Sequence, residues 1–150
     1  MDKTLKETIE KIQRDINSLH CSLNSGGCIC FVRLIAEQLY YRNINYKVVV
    51  DESRWTCNQI KDCFKNKVFK IDGVYHVLIK VDDEYFDGLK FHNKVGYCIN
   101  CTHPADLKMW EQKKYAWNNV YDRKHFNPII NKIIKKHFKN YDKIKNRVRY

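Results

Sequence analysis

Cys28 has the neighbours of a reactive thiol. A cysteine attacks a carbonyl as its thiolate, and the unpaired amides and macrodipole of a helix N-terminus favour that anion. Gly26 and Gly27 precede Cys28, which lets the chain turn sharply and leaves the sulfur sterically open. The segment 28–41 behind it is apolar on most faces and holds neither glycine nor proline, so it reads as a buried central helix that fixes the sulfur in place. Cys30, two residues on, points to a different side of such a helix. Cys21 is the rival nucleophile, but it follows the expected end of the preceding helix and lacks the glycine approach.

A thiolate needs an imidazole partner, and the imidazole needs a group to orient it. His76 and Asp87 suit these roles. A two-residue turn at Asp82-Asp83 sets Val81 opposite Glu84, and the same register carries Leu78 opposite Asp87. Because strand side chains alternate, His76, Leu78 and Lys80 then share one face with Tyr85 and Asp87. His76 and Asp87 become diagonal neighbours, roughly 7–8 Å apart at the backbone, a gap their side chains can bridge. A slip of one residue would send them to opposite faces. Tyr75, Val77, Ile79 and Val81 line the other face, an apolar set suited to packing against helices.

The elements that must position these groups follow from periodicity. Leu5, Ile9, Ile12, Ile16 and Leu19 recur at alternating spacings of four and three, predicting a first helix over 5–19 with Thr4 and Glu7 as a capping box. The run 24–27 breaks that period, 43–45 turns the chain, and 46–50 has the β-branched composition of a strand. A short helix is expected around 58–64, a strand over 74–81 returning over 84–87, and a helix near 105–114. Asn127-Pro128 reads as an N-cap and first-turn proline. The helix it opens carries a stripe of Ile129, Ile130, Ile133, Ile134, Phe138 and Tyr141, and frays after about residue 142.

The order Gly26-Gly27-Cys28, a helix with Phe31, Ala36 and Leu39, a valine-rich strand, His76-Val77 and Tyr85-Phe86-Asp87-Gly88 resembles the papain-like and transglutaminase-like cysteine enzymes. It is most similar to the short bacterial and phage-encoded members, over roughly residues 22–90. The resemblance implies an α+β fold whose central helix packs on a small antiparallel sheet. It also implies Cys28 as nucleophile, His76 as general base and acid, and Asp87 as orienting carboxylate in a cysteine hydrolase or acyltransferase. Proteolysis, amide hydrolysis, deamidation and transamidation share that first step. An upstream glutamine for the oxyanion hole is not evident. The Cys28 amide with the side chain of Asn24 or Ser25 are the nearest substitutes.

Composition bounds the rest. A chain of 150 residues, 44% hydrophobic, with two prolines and five glycines, has the make-up of one domain over 1–150 rather than a disordered or fibrous chain. The net charge is +11, and residues 123–150 hold ten basic residues against one acid, Asp142, so nine of those charges lie at the C-terminal end. Lys132, Lys135, Lys136 and Lys139 surround the apolar stripe of the last helix as a basic patch. This suits an anionic partner, a nucleic acid or an acidic protein, and gives the alternative of a non-enzymatic binding module. No apolar run is long enough to span a bilayer and no signal-peptide core opens the chain, so a cytoplasmic protein with reduced thiols is expected. The triad calls for a protein or peptide substrate and no cofactor, and no metal is assigned to it. Cys98 and Cys101 with His103, joined by Cys57 or Cys63, have the residue types of a zinc site, but a single C-x-x-C favours structural thiols. Trp55, Trp110 and Trp117 read as packing residues, while His20, His92, His125 and His137 have no visible second member of a site.

Overall fold

A computed structural model describes residues 1–19, 28–51, 58–59, 62, 65–66, 76–93, 97–99, 103–113 and 120–148. Helix α1 spans Lys3–Asn17 and buries Leu5, Ile9, Ile12 and Ile16, the stripe its spacing predicts. Its cap differs from expectation. The Asp2 carboxylate accepts from the Thr4 amide at 3.2 Å, so the helix starts two residues early and Thr4 lies inside it. Helix α2, Cys28–Tyr41, is buried on most faces, as its composition requires. Asn43, at φ 56°, ends it, with the Ile44 amide returning to the Leu39 carbonyl.

Among the described residues five strands follow: β1 Lys47–Asp51, β2 His76–Val81, β3 Glu84–Phe86, β4 Phe91–His92 and β5 Tyr97–Ile99. They form one sheet in the order β4-β3-β2-β1-β5, with every neighbouring pair antiparallel. The chain is therefore α+β with a small antiparallel sheet. The Asp82-Asp83 turn falls where expected, with Asp82 at φ 52°, and it sets Val81 opposite Glu84, Lys80 opposite Tyr85 and Ile79 opposite Phe86. That is the predicted register. Strands β4 and β5 were not foreseen, since each is too short to show a period of two.

One face of the sheet, through Val48, Val50, Val77, Ile79, Val81 and Phe86, joins the helices in a common core. Helix α2 lies against β2, and Phe31 meets Phe86 edge to face with centroids 6.3 Å apart. Helix α3, Pro104–Lys113, packs on α2 and buries Leu107 and Trp110. Helix α4, Val120–Val148, packs on α1 and α2 through Ile130, Ile134, Phe138 and Tyr141.

Three expectations need correction here. Helix α4 starts at Val120 and continues past Pro128, so Asn127 does not cap it. It also stays helical to Val148 rather than ending near 142; Arg42 makes a two-pronged pair with the Asp142 carboxylate at 2.8 and 2.7 Å, and Lys145 reaches Asp2. His137 does have a partner, the Asp15 carboxylate 2.6 Å away on α1. The helix expected over 58–64 falls largely outside the described residues, as do Trp55 and Trp117.

Phe31 has no solvent exposure and ties α2 to the strand leading into the Asp87 turn. Phe31→Ala is expected to cost about 3–5 kcal/mol, the usual penalty for emptying a phenylalanine site in a packed core. Urea denaturation followed by circular dichroism measures it.

Candidate active site

Strand β2 opens at His76, whose neighbours Val77 and Ile79 face the core, so alternation turns the imidazole to the opposite face. Asp87 lies just beyond β3 on that same face. The predicted diagonal is realised, with His76 Nε2 2.8 Å from Asp87 Oδ2.

The carboxylate is 1% exposed, and a buried charge is tolerated only when its lone pairs are filled. They are filled. The chain between β3 and β4 folds back over the aspartate, so the Leu89 and Lys90 amides both donate to Oδ1, at 2.8 and 2.9 Å. The Asp87 amide donates in turn to the Lys90 carbonyl at 3.1 Å. Oδ2 takes His76 and also His92, whose Nε2 is 2.7 Å away. Helix α1 fastens this turn from behind: Gln13 Nε2 donates to the Asp87 carbonyl at 2.9 Å and Asn17 Nδ2 to the Leu89 carbonyl at 3.2 Å. Burial pushes the Asp87 carboxyl up, but the hydrogen bonds from His76, the two amides and His92 outweigh it and hold the group well below the usual carboxylate range. Asp87 is thus a fixed anion that orients the imidazole through Nε2.

His92 was missed by sequence reasoning. It pairs with Tyr85 across β3 and β4, which puts it on the Asp87 face. The available signal was weak: a turn at 87–90 followed by a strand in which residue 92 shares the face of 85 and 87.

Cys28 is the first residue of α2, as expected, and α2 lies against the strand that carries His76. Asn24 and Ser25 lie outside the described residues, as does Cys21. The first turn of α2 is anchored by a polar chain. Cys30, fully buried, donates from Sγ to Asn127 Oδ1 at 2.9 Å, and Asn127 Nδ2 donates to Glu111 Oε1 at 3.1 Å. Arg33 Nε donates to the other Glu111 oxygen, and its Nη1 to Glu37 at 3.1 Å. Asn127, read from sequence as a cap, therefore links α2, α3 and α4. His103 precedes α3, with its Nδ1 accepting from the Ala105 amide at 3.0 Å and its ring 4.6 Å from that of Tyr40. Of its supposed zinc partners, Cys57, Cys63 and Cys101 lie outside the described residues and Cys98 is on β5.

Asp87→Asn keeps the shape and an acceptor for the amides but removes the charge. It is expected to cost about 2 kcal/mol at neutral pH, the scale of a buried charged hydrogen-bond network that loses its ion. A carboxyl with a lowered folded-state pKa gives stability that is present above its unfolded value, near about 3.9, and is lost on further acidification. Urea midpoints of the two proteins should therefore converge from about pH 4 downward. Comparison of the chain with protein families, with characterised proteins and with solved structures finds no match, so the site rests on its own geometry.

Proposed function

We propose that this chain is a cysteine hydrolase or acyltransferase of the papain-like or transglutaminase-like type, acting on an amide or thioester carbonyl of a protein or peptide. One observation carries the proposal: the 2.8 Å bond between His76 Nε2 and the buried Asp87 carboxylate, on a strand packed against the helix that Cys28 opens. An ion held in place by two backbone amides suits a general base, because the tautomer of such a base must be fixed before it can accept a proton at the other nitrogen.

In this mechanism the Cys28 thiol gives its proton to His76 Nδ1, and the thiolate, favoured by the α2 N-terminus, attacks the carbonyl carbon. The imidazolium is stabilised by Asp87 through Nε2. It then protonates the leaving group as the tetrahedral intermediate collapses to an acyl thioester. Water or an acceptor amine, deprotonated by the same imidazole, releases the acyl group and restores the thiol. Backbone amides at the start of α2, with Asn24 or Ser25, are the donors assigned to the oxyanion.

A second reading draws support from α4, where Lys132, Lys135, Lys136 and Lys139 are all exposed beside the buried stripe. They suit an anionic macromolecule, either as the whole function or as a means of bringing the enzyme to its target. Among the described residues no helix is long and apolar enough to cross a membrane.

Intact-mass analysis after brief iodoacetamide treatment at pH 6 tests the enzyme reading. Cys28 should be alkylated on the order of tenfold faster than other accessible cysteines, and His76→Ala should remove that advantage. Equal labelling of all accessible thiols sinks it. For the second reading, replacing the four lysines by glutamine should weaken binding to a mixed-sequence oligonucleotide. It should also lower the slope of log affinity against log salt by roughly 0.9 for each phosphate no longer neutralised. An unchanged slope removes the patch from consideration.

A further inference from the structure

The triad chemistry uses one imidazole, yet two converge on the same carboxylate oxygen. His76 comes from β2 and His92 from β4, and their Nε2 atoms lie 2.8 and 2.7 Å from Asp87 Oδ2. One potential ligand atom from each of the three residues lies within 4.8 Å of the other two. The rings stand 5.8 Å apart and tilted by 57°, so neither stacks on the other and both present a nitrogen edge to the same point.

We infer that His76, Asp87 and His92 form a binding site for a divalent transition-metal ion of the zinc class. Two imidazoles and one carboxylate are a common ligand set for such ions, and three protein ligands leave a position for water. Metal–nitrogen and metal–oxygen distances of about 2.0–2.2 Å need donor atoms roughly 3 Å apart, which small rotations of the two rings supply. The carboxylate is already committed to one ligating atom, because Oδ1 is taken by the Leu89 and Lys90 amides and Oδ2 faces the imidazoles. Groups of this kind behind a ligand fix its direction and raise affinity. Asp87 is closed off from solvent, while the His76 and His92 side chains are 17% and 22% exposed, so an ion enters from the imidazole side. Metal ligation takes both imidazoles neutral, so with the carboxylate they present a single negative charge to a dication; a neutral ring that donates from Nε2 passes that proton to Nδ1 through solvent, with no net proton released.

Occupancy has a consequence that rests on the cysteine-enzyme reading: an ion on His76 takes the base away from Cys28. The site would then act as a metal-sensitive brake on the thiol. The binding itself does not depend on that reading.

Titration of the full chain with cobalt(II) tests the site, since its visible absorption reports coordination and thiolate ligands add a separate near-ultraviolet band. One cobalt per chain is expected, without the thiolate band, unchanged in Cys28→Ser and weakened at least 10–100-fold in His92→Gln, no less than the loss of a supporting group costs. A urea midpoint close to that of the unsubstituted chain certifies the His92→Gln protein, with His92→Asn as a second variant. No binding, binding indifferent to His92, or a thiolate band that identifies a cysteine site each overturns the inference. In parallel, stoichiometric zinc should slow Cys28 alkylation in the unsubstituted chain and not in His92→Gln. A Cys28 that is slow without any metal defeats the enzyme proposal alone, and the cobalt titration still decides the metal site.

Discussion

A buried carboxylate with every lone pair filled is the constraint on which the rest of the site depends. Asp87 receives four donors from three segments: two amides of its own turn, one imidazole from β2 and one from β4. Each donor is held by the element behind it, and the turn is pinned to α1 through Gln13. Any one of these groups is an ordinary polar contact. Together they let an anion sit in a nearly dry environment, and in return the anion fixes the tautomer and direction of two rings.

The helix that Cys28 opens is positioned by different means. Helix α2 is set against the sheet by apolar packing, with Phe31 on Phe86 at its centre. Its first turn is held by a half-buried polar chain through Cys30, Asn127, Glu111 and Arg33. Packing alone would leave a helix free to slide along its axis by a fraction of a turn. Directional bonds to α3 and α4 remove that freedom, which the proposed reaction requires because its partners must meet within a hydrogen-bond length.

Much of this was legible in the residues. The spacing of Leu5, Ile9, Ile12 and Ile16 and the apolar character of most faces of 28–41 decide the helices, because burial rewards one stripe or several faces. The Asp82-Asp83 turn decides the register, and with a period of two the register decides that His76 meets Asp87. His92 was hidden because its place depends on how the 87–90 turn closes, and that closure is driven by the aspartate's own need for donors. Asn127-Pro128 misled for a related reason. A cap signature is local, whereas here the apolar stripe of α4 and the pull of Cys30 and Glu111 on the Asn127 side chain carry the helix across the proline. Its missing N–H leaves one carbonyl without a helical partner. The sheet edges were illegible because two or three residues show no alternation.

Those edges have a use of their own. The valine run Val48-Val49-Val50 is the kind of sequence that templates fibrils when its backbone is bare, and the sheet keeps it between two neighbours. Among the described residues the outermost strands are Phe91–His92 and Tyr97–Ile99, which offer a foreign chain only a rung or two of pairing. The Val48–Val50 run is thereby kept from lending its backbone to a second molecule.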